Sequence, residues 1–433
     1  MDTIFALSTA PGRAGVAIVR VSGPRAKDAL ERLTGKRDFS PRQAILARFA
    51  DADGGEIDSG IVLWFPAPAS FTGEDVAEFH VHGGHAIAAA MLRSIGAAKG
   101  LRPAEPGEFT RRAVENGKFD LTRAEALADL IDAETEAQRK QAVRQYGGAL
   151  ETLYEGWRAR LIRASAWAEA AIDFADEDIP EGMLAESRTT VAEILKEIQA
   201  HLNDARRGEI LRNGVHITVI GVPNAGKSSL VNALAQRDVA IVSETAGTTR
   251  DVIEVHLNLG GYPVILADTA GLRDASETIE SEGVRRALAR ASEGDLTLLL
   301  LDGTATDPFA GLPDASVDLT VWNKADLPWP LKRDGIRISA RTSEGLPDLI
   351  QALTTLVADR FQQNTANPPL TRARHRHALE QVAAALARAL TAKESELMAE
   401  DLRLALRSLG RITGRVDIEE LLDVVFRDFC IGK

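Results

Sequence analysis

The stretch VHITVIGVPNAGKSSLVNAL constrains the fold more than any other part of this chain, because it joins an apolar segment, a glycine-rich loop and a helix start. Residues 221–228 match the pattern G-x-x-x-x-G-K-S in the strand–loop–helix setting that the pattern requires. Its glycines let backbone N–H groups surround phosphates, its lysine (Lys227) reaches the β- and γ-phosphates, and its Ser228 hydroxyl binds Mg²⁺. Strand-like and helix-like segments alternate around it, which predicts an α/β domain with a parallel sheet.

Two motifs farther along the chain suit the handling of a γ-phosphate. GTTRD, residues 247–251, offers threonines for Mg²⁺ and the γ-phosphate. DTAG, residues 268–271, follows an apolar strand. We expect Asp268 to act on Mg²⁺ through its hydration shell and Gly271 to sense the γ-phosphate.

Two further motifs specify the base. NKAD, residues 323–326, also follows a strand, and the Asp326 carboxylate can accept both N1–H and N2–H₂ of guanine, which adenine cannot supply. Ser339 and Ala340 can offer a backbone N–H to guanine O6. Together these motifs predict a guanine nucleotide as ligand and GTP hydrolysis as activity.

The residue after DTAG is unusual, because Leu272 stands where Ras-type GTPases place a water-orienting glutamine. An apolar side chain cannot orient a water, so another group must do so. The candidates in the polar stretch that follows are Glu277, Glu280 and Glu282. A cation at the phosphates could replace an arginine finger, and Asn224 in the glycine-rich loop is an uncharged oxygen ligand suited to it.

The rest of the chain differs from this domain in its pattern of apolar, glycine and proline residues. Residues 1–119 combine strands such as GVAIVRVSG with turns rich in glycine and proline, which predicts an α+β domain. Residues 120–212 and 362–433 carry apolar residues at helical spacing, and Thr122 with Glu125 suggests a capping box. We therefore expect an N-terminal α+β domain (1–119), a discontinuous α-helical domain (120–212 and 362–433) and an inserted α/β domain (213–361).

The composition restricts which binding partners and which cellular compartment fit this chain. The net charge is −12, so nucleic-acid binding would need a local basic patch. Candidates are Arg403, Arg407, Arg411 and Arg415, spaced every four residues, and the run RARHRH at 372–377. For the four arginines, a solvated face paired with carboxylates is the alternative. A single cysteine without a secretory signal indicates the reducing cytoplasm, and no apolar run approaches the length of a membrane span.

The motifs P-N-A-G-K-S-S, G-T-T-R-D and D-T-A-G-L-R resemble those of the MnmE (TrmE) family of tRNA-modifying GTPases. The resemblance extends, in the family's order, to PGRAGVAIVRVSG, SFTGEDVAEFHVHGG, RPAEPGEFTRRAVENGKFDLTRAEALADLI and FCIGK, so it covers essentially the whole chain. It implies a folate-binding, dimerising N-terminal domain, an α-helical central domain and an inserted Ras-like P-loop G domain. It also implies a homodimer that works on tRNA with an FAD-dependent MnmG (GidA) type protein, in a heterotetramer or larger complex.

The reaction implied by the resemblance adds a carboxymethylaminomethyl or aminomethyl group at C5 of the wobble uridine (position 34) of certain tRNAs. A 5-formyl- or methylene-tetrahydrofolate supplies the one-carbon unit, and the FAD stays in the partner. In this family two G domains approach each other across the nucleotides. Their approach completes a potassium-binding loop and activates hydrolysis.

The resemblance also assigns roles to single residues. Potassium ligands fall on Asn224, Ser243, Thr245 and Thr248, and magnesium ligands on Ser228 and Thr249. The water-orienting glutamate falls on Glu280, and folate contacts fall on Arg20, Glu78, Lys118 and Lys433. The residues expected around GTP are Asn224, Ala225, Gly226, Lys227, Ser228, Ser229, Ser243, Glu244, Thr245, Ala246, Gly247, Thr248, Thr249, Asp268, Thr269, Ala270, Gly271, Asn323, Lys324, Ala325, Asp326, Ser339, Ala340 and Arg341.

Two of these assignments have alternatives from the residues themselves. Arg20 lies in the apolar run GVAIVRVSG, where it could instead be a surface charge on an edge strand. The resemblance places CIGK against the folate pocket, which makes Cys430 a candidate catalytic residue. A thiolate there could add to an electrophilic uracil carbon or to a one-carbon unit. Packing beside the pocket is the other possibility for Cys430.

Two other functions fit parts of the sequence. A GTP-dependent assembly factor of the Era or Der type would share the G-domain motifs, but it would lack the N-terminal segments and FCIGK. A folate-binding scaffold whose GTPase only times a conformational change would share all of these features, because the flavin and its redox chemistry lie in the partner.

Overall fold

The computed structural model describes residues 2–173, 181–241, 254–268, 294–310, 312, 316–330, 334–361, 367–416, 419–427 and 429–432. The chain forms two compact units, each assembled from separate segments. Unit 1 comprises Met1–Ala128, Tyr146–Glu177 and Glu394–Lys433, and unit 2 comprises Asp129–Gln145 and Asp178–Lys393. The three-domain boundaries expected from the sequence remain a prediction.

Unit 1 contains a six-stranded sheet in the order β3-β4-β5-β2-β1-β6. Its strands are β1 (Thr3–Leu7), β2 (Ala14–Ser22), β3 (Ile45–Ala50), β4 (Glu56–Phe65), β5 (Val76–Gly83) and β6 (Leu101–Pro103). All neighbours pair antiparallel except β1 and β6. Because β2 lies between β5 and β1, it is not an edge strand, and the edge-strand alternative for Arg20 is wrong.

The two faces of this sheet differ. On one face, helices α1 (Ala26–Thr34) and α2 (His85–Gly96) contribute to a core of buried residues that includes Val19, Phe49 and Phe79. The alternation of the strands sends every second side chain to the other face. There, Leu46 (73%) and Ile61 (41%), which pair across β3 and β4, are exposed apolar side chains. Val16 is also exposed (53%) and lies at an irregularity in the pairing of β2 with β5.

The rest of unit 1 contains further helices, two of which are long and pack on each other. The helices are α3 (Glu108–Glu115), α4 (Leu121–Ile131, which continues into unit 2), α6 (Ala149–Asp173), α12 (Ser395–Thr413) and α13 (Glu419–Arg427). Tyr154, Trp157 and Leu161 of α6 are almost fully buried where α6 packs on α12. Gly410 lies inside α12, and Gly414 caps it in the left-handed conformation.

The capping box expected at α4 is wrong. The Asp120 carboxylate, immediately before α4, accepts hydrogen bonds from the Arg123 N–H (3.0 Å) and the Thr122 hydroxyl (2.8 Å). Thr122 therefore lies inside the helix, and its hydroxyl donates to the capping residue. A carboxylate at this position satisfies one of the N–H groups left unpaired at a helix start, which removes the need for the threonine cap.

Unit 2 contains a six-stranded sheet in the order β12-β11-β10-β7-β9-β8. Its strands are β7 (Val215–Ile220), β8 (Glu254–Leu259), β9 (Tyr262–Asp268), β10 (Leu296–Asp302), β11 (Leu319–Asn323) and β12 (Ile336–Arg337). They pair in parallel, except for β8, which is antiparallel to β9 and which the sequence analysis missed. The central strand β7 lies between β9 and β10, so its carboxyl end is a topological switch point.

The described residues of unit 2 form the helices α5 (Glu136–Tyr146, whose last residue belongs to unit 1), α7 (Glu181–Leu202), α8 (Arg207–Asn213), α9 (Lys227–Ala235), α10 (Leu346–Phe361) and α11 (Ala373–Thr391). Helix α11 packs on α7. The fold class is confirmed: an α+β N-terminal part, long helices and an inserted α/β part are all present. No helix in the described ranges is both long and apolar enough to cross a bilayer.

Most of the basic run RARHRH forms the first turns of α11. The Arg372 guanidinium pairs with Asp129 at 2.6 Å. The Arg376 guanidinium pairs with Asp204 at 2.6 Å and with Glu209 at 2.7 Å. These arginines therefore hold segments of unit 2 together, which weakens the case for this run as a phosphate-binding patch.

Candidate functional site

The glycine-rich loop lies between the carboxyl end of β7 and the first turn of α9. Gly226 caps α9 with φ of 99°, and a side chain there would collide with the amide of Asn323. Only glycine suits this backbone conformation and this close approach. The start of α9, where Ser228 and Ser229 lie, presents backbone N–H groups and the positive end of the helix dipole, which makes the loop suited to an anion.

Two side chains of the loop have defined positions. The Lys227 ammonium donates to the carbonyl oxygens of Gly221 (2.8 Å) and Val222 (3.1 Å), which holds it along the loop. Asn224 has φ of 63°, in the left-handed region that asparagine tolerates better than most residues. Asn224 to Ser229 thus lie between β7 and the first turn of α9 or within that turn, and their binding of phosphates stays a prediction.

Asn323, the first residue of the NKAD motif, connects the glycine-rich loop to the segment that contains Ser339 and Ala340. Its side chain is 3% exposed, donates from Nδ2 to the Ala225 carbonyl (2.7 Å) and accepts at Oδ1 from the Ala340 N–H (3.0 Å). Both ends of the amide are therefore satisfied, which fixes three segments distant in sequence against each other. We call Gly226, Asn323, Asp326, Ser339 and Ala340 the guanine corner.

Asp326 and Ser339 also contact each other in the guanine corner. The Ser339 hydroxyl, fully buried, donates to Asp326 Oδ1 at 2.7 Å and accepts from the Thr342 N–H at 3.1 Å. The sequence analysis expected only the backbone of this segment to matter. The structure adds the Ser339 side chain, which orients a carboxylate that is otherwise exposed. Arg341 follows on the surface.

Lys324 and Ala325 complete the NKAD loop. The Ala325 N–H donates to the Ile338 carbonyl at 2.9 Å, and the Lys324 ammonium pairs with Asp302 at 2.6 Å. Burial alone would raise the pKa of Asp302, but the Lys324 ammonium and the Thr304 hydroxyl and N–H outweigh it and lower that pKa. Asp302 is therefore ionised when it holds Lys324.

Many of the expected GTP and cation contacts lie outside the described residues. These are Ser243, Glu244, Thr245, Ala246, Gly247, Thr248, Thr249, Thr269, Ala270, Gly271 and Glu280, the candidate for orienting the attacking water. Asp268 ends β9, and its backbone pairs in register with Val219 of β7. The DTAG motif thus begins at the same edge of the sheet as the glycine-rich loop.

A second site lies in unit 1 around Arg20. The Arg20 guanidinium bonds to Glu78 on the neighbouring strand through Nε (3.0 Å) and a terminal nitrogen (2.9 Å). It also lies over the rings of Phe71 (5.5 Å) and Phe109 (5.8 Å). Glu78 Oε2 in turn lies 3.4 Å from His80 Nε2. We call Arg20, Phe71, Glu78 and Phe109 the Arg20 site; sequence analysis missed its two aromatic residues.

Lys118 contacts the loop that carries Phe71. The Lys118 ammonium donates to the Pro68 carbonyl at 2.9 Å, and Phe119 packs on Phe71 with ring centroids 5.9 Å apart. The same loop is tied to β2, because the Ser22 hydroxyl bonds to Thr72 and Glu74, both at 2.7 Å. The structure therefore brings Lys118 and the Arg20 site to one loop, residues 66–75.

The segment containing Cys430 docks beside the start of α3. The Gly107 N–H donates to the Cys430 carbonyl (3.3 Å), and Ile431 forms a bridge with Pro106. The Ser8 hydroxyl donates to the Gly432 carbonyl at 3.0 Å. Cys430 is exposed, and Lys433 lies outside the described residues. The docking brings Cys430 near the helix whose Phe109 contacts Arg20.

The arginine stripe on α12 carries ion pairs with carboxylates of unit 1. The Arg403 guanidinium pairs with Glu169 (2.6 Å) and with Glu400 (2.9 Å). Arg415 pairs with Glu155 at 2.7 Å. The alternative of a paired, solvated face is therefore supported for Arg403 and Arg415.

Comparisons with known proteins cover the whole chain. Two family models match, one described as the MnmE helical domain over residues 121–430 and one as the GTP-binding protein TrmE N-terminus over residues 3–118. The tRNA modification GTPase MnmE of Parvibaculum lavamentivorans is 57% identical, with 100% of each chain covered. That of Paramagnetospirillum magneticum is 56% identical, again with 100% of each chain covered. Among solved structures, the G domain of the T. maritima FeoB iron transporter covers 33% of this chain and 98% of its own, with 23% identity and a TM-score of 0.26, a score that supports no argument.

Proposed function

The chain belongs to the MnmE family of tRNA modification GTPases, and from this membership we propose its detailed reaction. It is a cytoplasmic, potassium-stimulated GTPase that works with an FAD-dependent MnmG-type protein on the wobble uridine of certain tRNAs. A tetrahydrofolate supplies the one-carbon unit that becomes part of the carboxymethylaminomethyl or aminomethyl group at C5. An assembly factor of the Era or Der type is a different family, so that alternative is set aside.

The observation that carries the nucleotide part of this proposal is the bridge made by Asn323. Because its amide ties Ala225 to Ala340, the phosphate-binding loop and the base-binding loops are held at a fixed separation. Asp326 then accepts N1–H and N2–H₂ of guanine, with its carboxylate oriented by Ser339. The backbone N–H groups at the start of α9 and the Lys227 ammonium neutralise the phosphates.

Two cations complete the nucleotide site in this proposal. The donors available in the described residues are the Asn224 side-chain oxygen and the Ser228 hydroxyl, and both suit hard cations such as K⁺ and Mg²⁺. Ser243, Thr245 and Thr248 would add potassium ligands, and Thr249 would add a magnesium ligand. When bound, K⁺ supplies positive charge at the phosphates, as an arginine finger does in other GTPases.

The folate part of the proposal rests on the Arg20 site. The Arg20–Glu78 pair offers charged donors and acceptors for a heterocycle, and the rings of Phe71 and Phe109 offer flat apolar surfaces. Lys118 and Lys433 supply positive charge for the carboxylates of a folate. Two of these groups, Arg20 and Glu78, are side by side on adjacent strands, which supports their joint use.

The exposed apolar face of the unit 1 sheet supports a homodimer. Leu46 and Ile61 come from two paired strands and are each more than two-fifths exposed. Apolar side chains grouped on one face of a sheet are typical of protein–protein contacts. A second copy of this chain is the partner that the proposal assigns to this face, and the MnmG-type protein and tRNA bind elsewhere.

GTP turnover of the purified protein in KCl and in NaCl, at matched ionic strength, tests the proposal. We expect turnover in KCl to exceed that in NaCl by about tenfold or more, because a cation of the right size must satisfy the Asn224 site. Equal, slow rates in both salts would reject the potassium assignment.

Replacing Cys430 by Ser separates direct chemistry from a folate-binding scaffold. Because the Cys430 side chain is exposed, a substrate can reach it, and in this proposal its thiolate acts as the nucleophile. The C430S variant should then lose tRNA modification, assayed with the MnmG-type partner, while GTP turnover stays at the wild-type rate. Unaltered modification would leave Cys430 without a chemical role and would favour the scaffold.

A further inference from the structure

Trp329 contacts the guanine corner from outside the motifs that define it. Its indole N–H donates to the Lys324 carbonyl at 2.9 Å, and the Leu327 N–H donates to the same oxygen at 3.0 Å. The ring is half-buried, and a side chain at Gly303 would collide with it. Gly303 itself is bonded by its N–H to the Asn323 carbonyl at 3.0 Å. Trp329 therefore fills the space directly behind the NKAD loop.

The residue that Trp329 holds has an unusual backbone. Lys324 has φ of 67°, in the left-handed region that residues other than glycine rarely adopt. Such a conformation persists only where the surroundings hold it in place. Here the ammonium is held by Asp302 and the carbonyl by Leu327 and Trp329. Because Asp326 follows two residues later, the backbone of Lys324 sets the direction of the guanine-binding carboxylate.

Trp329 also reaches the other base-binding segment. The Arg337 guanidinium lies over the indole ring, with Cζ 4.0 Å from the ring centroid. Arg337 is on β12, two residues before Ser339, whose hydroxyl orients Asp326. The indole thus connects the NKAD loop to the strand that positions Ser339.

We propose that Trp329 is a positioning residue for guanine recognition: it fixes Asp326 through Lys324 on one side and through Arg337 and Ser339 on the other. This inference rests on the proposed guanine site. According to this inference, Trp329, which lies outside the NKAD and Ser-Ala motifs, contributes to the selectivity for guanine. Its loss should let the Asp326 carboxylate shift, and the hydrogen bond to the guanine N2 amino group should weaken most.

Inosine diphosphate is the probe that isolates this effect, because it has the N1–H of guanine but lacks the N2 amino group. The ratio of the dissociation constants for IDP and GDP therefore measures how well Asp326 reaches N2. A residue that merely stabilised the fold would lower both affinities, or the unfolding temperature, and would leave the ratio unchanged.

The experiment measures GDP and IDP binding by calorimetry with the full-length protein, together with the thermal unfolding midpoint. Trp329→Phe keeps an aromatic ring and removes the N–H donor, and we expect it to lower the IDP/GDP ratio about fivefold. Arg337→Met keeps an apolar stem and removes the cation, and we expect a decrease of about twofold. Phe309→Leu is the matched control, because Phe309 is 55% exposed and packs on Trp322 in the same aromatic cluster.

A wild-type ratio in Trp329→Phe would overturn the inference, even if the unfolding temperature fell. If that variant does not fold, Arg337→Met decides, and an unchanged ratio there overturns it equally. Asp326→Asn is measured in parallel: if it keeps guanine preference, the proposed guanine site itself is wrong. If Asp326→Asn loses the preference and Trp329→Phe keeps it, only the role of Trp329 is rejected.

Discussion

The guanine corner and the Arg20 site use charged side chains in opposite settings. In the guanine corner, short loops follow the carboxyl ends of parallel strands, and a single amide, that of Asn323, ties them together. In the Arg20 site, the arginine lies in the middle of an antiparallel sheet, and its partners come from a neighbouring strand, a loop and a helix. Loops at strand ends can bring several backbone groups to one ligand, whereas a mid-strand residue offers only its side chain.

This difference determines how each region should respond to substitution. The guanine corner depends on backbone positions, so small changes in geometry should have large effects on nucleotide binding. The Arg20 site depends on one ion pair between side chains that are each only about one-fifth exposed or less. Removing Arg20 or Glu78 should weaken folate binding less than a change in the guanine corner weakens nucleotide binding. It should also leave the other member of the ion pair as a partly buried, unpaired charge.

Asp326→Asn tests the most specific contact of the guanine corner. The amide would present a donor where the carboxylate accepts N1–H and N2–H₂, so we expect guanine preference over xanthine to fall about a thousandfold. Competition binding with GDP and XDP measures it. Retained guanine selectivity would contradict the assignment of Asp326.

Gly226→Ala tests the backbone argument. The added methyl group would occupy the position of the Asn323 amide, and φ of 99° is unfavourable for alanine, so we expect GDP affinity to fall about a hundredfold. Gly156→Ala in α6 is the matched control, because no atom lies within 4 Å of the added carbon. Binding of a fluorescent GDP analogue measures both variants. Equal affinity for Gly226→Ala and wild type would show that the loop tolerates a side chain.

Arg20→Met tests the second region. Methionine keeps the apolar stem and removes the charged group that pairs with Glu78, so we expect affinity for 5-formyltetrahydrofolate to fall roughly tenfold to a hundredfold. Arg25→Met is a suitable control, since Arg25 makes an exposed ion pair with Asp28 in the same unit. If both variants bind the folate like wild type, the Arg20 site is a structural ion pair.

Asp120→Asn tests the helix start next to Lys118, and we expect it to change stability and not ligand binding. Burial raises the pKa of Asp120 to about 6, with hydrogen bonds from Arg123 and Thr122 opposing the shift. A carboxyl whose pKa is higher in the folded state destabilises the fold once ionised, so the cost is absent below about pH 4 and complete above about pH 6. Asparagine also caps helices and carries no charge.

The Asp120→Asn variant should therefore unfold at higher urea concentration than wild type at pH 8, by up to roughly 3 kcal/mol in the free energy of unfolding. The gain should disappear as the pH approaches 4. Asp28→Asn, at an exposed ion pair, serves as the control and should change stability by less than about 1 kcal/mol at either pH. If the gain in the free energy of unfolding did not depend on pH, ionisation of Asp120 would not be what destabilises the wild-type fold.

The sequence could predict that the residues of the guanine corner lie together, because most of them belong to contiguous motifs, while their binding of guanine stays a prediction. NKAD and the glycine-rich loop each follow an apolar strand, and parallel strands bring their carboxyl ends to one edge. What the motifs could not supply was the Ser339 side chain or Trp329, because these act through packing that spacing does not encode.

In the Arg20 site the sequence, through the family resemblance, indicated the charged residues but not their surroundings. Phe71 and Phe109 come from a loop and a helix, and no local pattern joins them to Arg20. One error had a local cause: Asp120, and not Thr122, caps α4. Strand β8 could have been found, since EVHLNL alternates polar and apolar residues.

The packing of α6 against α12 bears on how the chain is made. Roughly 220 residues separate the two helices, so a ribosome adding about 5–20 residues per second needs on the order of 10–40 s to bring the second one out. During that time the side chains of Tyr154, Trp157 and Leu161, buried in the finished protein, have no α12 to cover them. Chaperone binding and aggregation compete for this apolar face on the nascent chain, whereas the sheet of unit 1, complete by Pro103, can already have formed.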